Sequence, residues 1–294
     1  MANSIALAKK YTPLLDEVYA EASLTAILDG SSDITREGAN ANEILVPKLV
    51  LQGLADYSRA TGYVAGDATL TWETLTMAYE RGRKFSVDDQ DNEETLGVAF
   101  GKLSGEFIRT KVAPEMDAYR FSQYCKVSGA LTTTGAALTS SDVIAAIDAA
   151  LVAQKNAEVP EEGRVIYMSA AIYAAIKNST AATRLVSAGE GLDRRFASFD
   201  GMRVVQVPTG RFFTSVDLAA SGAGGFSMSS GAKALNFMIV HPSALCQFTK
   251  NTIAKILSPD VNPNANAWIF CYGIYGIAEG FLNKAKGIYF HKVA

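Results

Sequence analysis

A dense group of carboxylates follows three cations in the stretch RGRKFSVDDQDNEETLG, residues 81–97. Five acids fall within seven residues: Asp88, Asp89, Asp91, Glu93 and Glu94. Such a group can hold a divalent cation, act as a general acid/base pair, or begin a helix. A helix–loop–helix calcium loop needs alternating ligands around a central glycine, and DDQDNEET has none. Asp91 and Glu94 instead have capping-box spacing, so we predict a helix start and no metal site.

The chain has two histidines, His241 and His291, so there are few candidates for a catalytic histidine. Ser243 follows His241 in VHPSAL, but the G-x-S-x-G turn that presents a nucleophilic serine is absent. We therefore interpret Ser243 as the cap of a short turn and predict no catalytic residue.

Cofactor and metal motifs are equally weak. GAGGFS at 222–227 fails the dinucleotide pattern G-x-G-x-x-G, because Ser227 stands where the last glycine belongs. The three cysteines are far apart, with no C-x-x-C or Cys/His zinc spacing: Cys125, Cys246 and Cys271. The sequence predicts no cofactor and no metal ligand.

Composition narrows the class of protein further. The 294 residues are 49% hydrophobic, which is enough for a sizeable core, and the net charge is −3. A sequence-specific nucleic-acid reader would normally present a basic face, so that class is disfavoured. The longest apolar run, WIFCYGIYGIAEGFL, is broken by three glycines and contains Glu279, so no membrane span is expected.

Two strand-like runs, EILVPKLVL (43–51) and ATLTWETLTMAYERGRKFSV (68–87), predict a long hairpin with a mobile tip between them. Leu70 and Trp72 share one side-chain phase, whereas Leu75, Met77 and Tyr79 share the other. Because a phase change moves the buried face to the opposite side of a strand, we expect a bulge or twist near Glu73–Thr74. An isolated hairpin is only marginally stable in water, so its apolar faces need a partner surface.

A long helix is predicted after the acidic cluster. Leu96, Phe100, Leu103 and Phe107 recur at i, i+4, i+7 and i+11, which is a helical stripe. The helix is expected from about residue 92 to 126, a length of about 50 Å. Pro114 should kink it or begin a second segment.

The remaining chain alternates short strands and helices. VIAAIDAALVAQKN and SAAIYAAIKNS are predicted helices, the first after a Thr139–Asp142 capping box. RVIYMS, GMRVVQVP and ALNFMIVHP are predicted strands. Three further strand-like runs between 246 and 293 are expected to return to the long helix. Residues 1–30 have amphipathic helical spacing and are interpreted as an arm. The mixture of predicted helices and strands makes the fold class α+β.

This order of elements resembles the major capsid proteins of tailed bacteriophages, a fold shared with encapsulins. DNEETLGVAFGKLSGEFIRTKVAPEMDAYRF corresponds to the spine helix of that family. The passage VHPSALCQFTKNTIAKILSP, then AWIFCYGIYGIAEGFLNKAKGIYFHK, resembles its strand–hPSA–strand ending and final gIY strand. The division that the resemblance implies is an N-terminal arm at 1–42, an extended hairpin loop at 43–90, a peripheral domain with the spine helix at 91–129, an axial domain at 130–245, and returning strands of the peripheral domain at 246–294.

The resemblance implies a structural protein and not an enzyme. Its subunits assemble through hexamers and pentamers into an icosahedral virion shell, built in the host cytoplasm, that encloses double-stranded DNA without sequence specificity. Portal and minor capsid proteins are further implied partners, and the early start of the spine helix points either to a separate scaffolding protein or to none. The hairpin is expected to contact neighbouring copies through these residues: Tyr57, Arg59, Tyr63, Trp72, Met77, Tyr79, Arg81 and Arg83.

Three other readings stay open at this point. An encapsulin-type compartment has the same fold but encloses a cargo enzyme and no DNA. A soluble α+β enzyme with an unrecognised site would be a small oligomer with a deep polar pocket. Another virion component, such as a tail protein, would form tubes in place of closed shells.

Overall fold

The computed structural model describes residues 23–30, 36–37, 42–94, 98–179, 196–219, 221–263 and 265–294. Most of the predicted arm helix, including Leu14 and Val18, lies outside these residues. Within the described part of the arm, Ala26–Leu28 forms a single 3-10 turn, and Leu28 is buried.

Strands dominate the described part of the chain. In order they are β1 (Arg36–Glu37), β2 (Glu43–Leu51), β3 (Ala68–Thr76), β4 (Tyr79–Asp88), β5 (Leu131–Gly135), β6 (Val165–Ser169), β7 (Ser198–Phe199), β8 (Met202–Val207), β9 (Val216–Leu218), β10 (Phe226–Met228), β11 (Leu235–Val240), β12 (Leu245–Leu257), β13 (Ala267–Gly280) and β14 (Ile288–Val293). The α-helices are α1 (Asp89–Glu94), α2 (Val98–Phe107), α3 (Ala113–Lys126), α4 (Val143–Asn156) and α5 (Ala170–Asn178). This mixture confirms the predicted α+β class.

The predicted hairpin forms from β2 and β3, with β1 paired to the base of β2. The register runs without a shift from Glu43 opposite Thr76 to Leu51 opposite Ala68. The predicted second strand is in fact two strands, because the chain leaves the hairpin at Met77 and enters another sheet at Tyr79.

The bulge predicted near Glu73–Thr74 is wrong. Val46 lies opposite Glu73 and Leu45 opposite Thr74, as a regular antiparallel ladder requires. The apolar residues change phase because both faces of the hairpin are apolar, one buried and the other exposed. No backbone irregularity is needed to explain the pattern.

The acidic cluster begins a helix, as predicted, but the predicted capping residue is wrong. α1 starts at Asp89, and the Asp88 carboxylate accepts a hydrogen bond of 3.0 Å from the backbone N–H of Gln90. Asp91 therefore lies in the first turn, where its charge favours the positive end of the helix dipole. Asp89 accepts a hydrogen bond of 2.9 Å from the indole N–H of Trp268, which fixes this turn against β13.

The spine consists of α2, a π-helical turn at Ile108–Val112, and α3. Pro114 lies in the first turn of α3, so the predicted second segment begins here. Proline has no N–H to donate and its ring crowds the preceding turn, and a wider π turn relieves both problems.

A three-stranded antiparallel sheet in the order β12–β13–β4 packs against the spine. β12 contains a bulge between Thr249 and Asn251, opposite Gly276. A Cβ atom at Gly276 would lie 2.9 Å from the carbonyl oxygen of Phe248, so this close approach of two backbones needs glycine.

The second half of the chain forms a six-stranded mixed sheet in the order β5–β14–β11–β6–β8–β7. β12 and β13 return to the spine as predicted, but β14 lies between β5 and β11 of this second sheet. Both faces of the sheet are covered, which explains the unbroken apolar runs of β6 and β11. α3 covers one face and helices α4 and α5 cover the other.

Candidate intersubunit surface

The outer face of the β2–β3 ribbon is an apolar surface that no described part of this chain covers. Directly opposite residues of an antiparallel pair share one face, so Leu49 and Leu70 lie side by side. Each is 55% exposed. Trp72, 47% exposed, lies opposite Pro47 on the same face, and Leu51 extends the row toward the tip. We call this row, Pro47, Leu49, Leu51, Leu70 and Trp72, the outer stripe.

At its root, the inner face of the ribbon is buried against the subunit, unlike the exposed outer face. Ile44, Val46 and Leu75 are buried, and they pack with Ile277 and Cys246 of the long sheet. Burial ends toward the tip, because Val50 on the same face is exposed. The ribbon is therefore fixed to the subunit at its root and projects freely beyond it.

The tip, residues 52–67, has defined local structure. The backbone of Ser58 exchanges hydrogen bonds with Gly62, and the Ser58 hydroxyl accepts from the N–H groups of Ala60 and Thr61. Gly62 has a φ of +81°, which L-residues rarely adopt, so glycine suits the turn. The rings of Tyr57 and Tyr63 lie 4.8 Å apart.

Exposed apolar side chains continue over this tip. Tyr57 and Val64 are exposed, Tyr63 is 90% exposed, and Leu54 is fully exposed. Contiguous apolar surface of this kind on a projecting element is typical of a protein-binding site. Together with the outer stripe, it gives the ribbon an apolar binding face.

The residues predicted as intersubunit contacts separate into two groups. Tyr57, Tyr63 and Trp72 are exposed on the ribbon, and Arg59 is exposed at its tip. Met77 and Tyr79 are buried inside the subunit, so their side chains contact its own core and are corrected out of the set. They follow the point where the chain leaves the ribbon, which the sequence pattern did not reveal.

The two arginines of β4 lie away from the ribbon. The Arg81 guanidinium donates to Glu115 of α3 at 2.7 Å and to the carbonyl oxygen of Ala219 at 2.8 Å. The hydrogen bond to Glu115 raises the pKa of Arg81. Arg83 is exposed and its guanidinium lies against Gly224.

A groove of about 700 Å³ opens beside these arginines. β4, the π-helical turn and the loop between β9 and β10 form its walls. Its lining combines apolar, cationic and acidic side chains, among them Phe85, Phe107, Phe226, Arg83, Lys111, Glu106 and Glu115.

A buried polar cluster ties the arm to the spine. The carboxylate of Asp117 on α3 accepts hydrogen bonds from the hydroxyl of Ser23, the N–H of Leu24, and both the N–H and hydroxyl of Thr25. Arg211 completes its surroundings at 3.2 Å. Beside it, Arg120 pairs with Asp29 at 3.0 Å. Residues 23–29 are therefore fixed to the spine helix α3.

The structure assigns a conformational role to the histidine–serine pair. His241 Nδ1 accepts from the N–H of Ser243 at 3.2 Å, and its Nε2 lies 3.0 Å from the carbonyl oxygen of Glu162. The His241 imidazole therefore caps the turn Pro242–Ala244 through the lone pair of Nδ1. We had predicted Ser243 as the cap of this turn.

Two of the three cysteines, Cys125 and Cys246, are poor nucleophiles because their thiols are desolvated. Burial raises the pKa of Cys125, and it raises the pKa of Cys246 to about 11. Both therefore remain thiols at neutral pH. In the described ranges, no cluster of His, Cys, Asp and Glu has the arrangement of a metal site. No helix of the described chain has the length and apolar character needed to span a membrane.

Sequence comparisons found no match, either to a family model or to a curated protein. Solved structures do match over most of the chain. A chain of Gordonia phage Cozz superposes with a TM-score of 0.63 at 12% identity, covering 92% of this chain and 86% of that one. The capsid of cyanophage P-SCSP1u gives a TM-score of 0.62 at 11% identity, with coverages of 88% and 85%.

The mature capsid of bacteriophage PhiM1 is also similar, with a TM-score of 0.60 at 14% identity, covering 86% of this chain and 82% of that one. Identities this low show a shared fold and nothing more. The chain thus has the capsid-protein fold of tailed bacteriophages, which confirms the fold that the sequence resemblance implied.

Proposed function

We propose that this chain is a major capsid protein, which self-assembles through hexamers and pentamers into the icosahedral shell of a tailed-phage virion. The observation that carries the proposal is the outer stripe, an apolar surface on a ribbon whose root is already docked. No described surface of the same copy reaches this stripe. A second copy of the chain supplies the surface that covers it.

Modest contacts of this kind are sufficient for a shell. Covering a half-exposed leucine contributes about 1 kcal/mol, from the usual value of about 25 cal/mol per Å² of apolar surface. The outer stripe and tip therefore contribute a few kcal/mol per contact. In a closed assembly every subunit makes the contact, so the sum is large while each contact stays reversible.

The geometry favours a ring over a two-fold dimer. The ribbon projects from the subunit, while the groove beside Arg83 is recessed and begins at Tyr79, just past the ribbon root. A protrusion that fits a recess elsewhere on the same chain makes a head-to-tail contact, which closes into a ring when the rotation between copies closes. The groove lining mixes apolar, cationic and acidic side chains, Glu106 and Glu115 among the last, and we propose it as the seat for the tip, which carries Asp56, Arg59 and Asp67.

The fold supports a division of labour within the subunit. We assign the spine and the β12–β13–β4 sheet to the peripheral domain, and the six-stranded sheet with α4 and α5 to the axial domain. β14 belongs with the axial domain in this assignment, because it pairs with β5 and β11. The ribbon is the extended loop.

The interior of the shell would hold double-stranded DNA without sequence specificity. A net charge of −3 suits that role, because strong attraction to the inner wall would hinder packing and release. A scaffolding protein, a portal and minor capsid proteins are the further partners in this proposal. Assembly takes place in the host cytoplasm, and no catalytic residue or cofactor is involved.

Shortening the ribbon tests the proposal. The backbone of Gln52 already bonds that of Asp67 at 3.3 Å, so residues 53–66 can be replaced by an Asn-Gly turn without moving the strands. The variant should fold with unchanged circular dichroism and melting temperature but fail to form shells in sedimentation and negative-stain microscopy. Normal closed shells from this variant would refute the role of the tip.

The wild-type particle distinguishes the neighbouring possibilities. Megadalton shells or capsomers are expected, and a stable monomer or dimer would contradict the proposal. Filled particles should show the high ratio of absorbance at 260 nm to 280 nm that DNA produces. A protein-like ratio with a co-purifying enzyme would indicate a cellular compartment, and tubes would indicate a tail component.

A further inference from the structure

Two carboxylates meet where the root of the ribbon docks on the long sheet. Glu73 lies opposite Val46 on the inner face of the ribbon. Glu279 lies opposite Cys246 in the β12–β13 ladder, and Ile277 is two residues from it on the same face of β13. Val46, Cys246 and Ile277 belong to one buried cluster, so both glutamates face the same interface from opposite sides.

This interface is a poor environment for two negative charges. The surrounding side chains are apolar, including Ile44, Leu75 and Met77 from the ribbon side. Glu73 and Glu279 are both half-buried. Neither belongs to any ion pair among the described residues. Like charges with no cation between them repel, and burial strengthens the repulsion.

We propose that Glu73 and Glu279 form a proton-operated latch, which holds the ribbon root on the subunit when one of them carries a proton and loosens it when both are ionised. The ribbon angle would then respond to pH before any neighbour is bound. This device goes beyond shell formation, because it operates within one subunit.

The direction of the effect follows from the ionisation of Glu279. Burial raises its pKa, and the nearby charge of Glu73 raises it further. A carboxyl group whose pKa is raised by docking favours the docked state below that pKa. The favourable contribution disappears as the pH rises through it. The root should therefore be held most firmly in mildly acidic solution.

The other ionisable groups nearby do not supply this response. Burial raises the pKa of Tyr119 to about 12, and that of Cys246 to about 11, so both stay protonated. Glu43 of β2 lies opposite Thr76 on the outer face of the ribbon, away from the pair. The packed elements also carry Lys48 of β2, Tyr275 of β13, and Lys284 of the turn after β13.

Hydrogen–deuterium exchange on the unassembled full-length chain tests the latch. Exchange of the 43–51 and 68–76 backbone amides would be measured near pH 5 and pH 8 and divided by the intrinsic exchange rate at each pH. Because burial and the Glu73 charge both raise the pKa of Glu279, protection of the root should be lower near pH 8 than near pH 5. Glu279→Gln should abolish that fall and keep the root protected, and Glu73→Gln should reduce it.

Glu80→Gln provides the matched control. Glu80 lies opposite Tyr275 at the edge of the same long sheet but is exposed. This variant should keep the wild-type pH response. Root protection that is independent of pH in the wild type would overturn the latch, and so would a wild-type response in Glu279→Gln. Because no assembly is measured, the latch can fail while the shell proposal stands, and the reverse also holds.

Discussion

Leu49 and Leu70 lie directly opposite one another across the β2–β3 ribbon, and each leaves 55% of its surface exposed. A cross-strand leucine pair normally closes part of a core. Here the pair faces outward, on an element whose other face is already docked. This relationship supports self-assembly more directly than any other feature of the described chain.

Polar substitution of this pair should separate assembly from folding. Leu49→Ser with Leu70→Ser removes apolar surface that the isolated subunit does not bury. The free energy of unfolding should change by less than about 1 kcal/mol, because exposed sites contribute little. Sedimentation should show loss of shells at concentrations where the wild type assembles. Val152→Ser is the matched control, since Val152 is similarly exposed on α4, and it should assemble normally. A double serine variant that assembles like the wild type would contradict the prediction.

The Arg81–Glu115 pair should stabilise the junction of β4, α3 and the 219–225 loop. It is largely shielded, with the two side chains 24% and 12% exposed. A double-mutant cycle of Arg81→Gln and Glu115→Gln, read by urea unfolding, should give a coupling of about 1–3 kcal/mol. The exposed Lys155–Glu161 pair, also at 2.7 Å, is the control and should couple much more weakly. Equal coupling in both pairs would refute the prediction.

Asp117→Asn should release the arm. The Asp117 carboxylate is fully buried, and N–H and O–H groups donate hydrogen bonds to it. The side-chain N–H groups of an asparagine in its place would face these donors. Disrupting a buried charge that is paired and hydrogen-bonded costs about 3–5 kcal/mol, which urea unfolding would measure. Proteolysis between residues 23 and 30 should accelerate. Asp148→Asn, on an exposed helix face, should be neutral by both measurements. Unchanged stability in Asp117→Asn would show that the cluster does not anchor the arm.

His291 should make the subunit sensitive to acid. The ring is buried, its Nδ1 lies 3.0 Å from the amide nitrogen of Asn236, and desolvation lowers its pKa. With the amide donating, Nδ1 accepts and the imidazole is neutral. A lowered pKa contributes stability that is complete above the unfolded-state value of about 6.5 and is lost as the pH falls below it. The stability difference between wild type and His291→Gln should therefore shrink from pH 7.5 to about pH 5. A constant difference would show that the histidine does not titrate on unfolding.

Local patterns in the sequence were sufficient to predict the type, helix or strand, of most elements. The strand-like run 43–51, the helical stripe through Leu103 and Phe107, and the largely apolar runs of β6 and β11 are each set by neighbours within one element. The acidic cluster was correctly interpreted as a helix start because capping and the helix dipole act over a single turn.

The errors share one cause, which is that partners distant in the chain are invisible to a local pattern. The end of the ribbon at Met77 depends on β4 pairing with β13, nearly two hundred residues later. Leu70 and Trp72 matched a buried face in sequence but are exposed, because no described part of this chain covers them. The buried role of Asp117 is likewise not visible locally, since its donors Ser23, Leu24 and Thr25 lie more than 90 residues earlier in the chain.

The sequence by itself determined the element types, the α+β class and the apolar character of both ribbon faces, because periodicity and capping are set by neighbours along the chain. Only the tertiary structure decided which ribbon face is buried, which sheet receives β14, and where Glu73 meets Glu279. Those outcomes depend on surfaces brought together by long-range packing. A repeating pattern of side chains specifies that a face is apolar but not what will cover it.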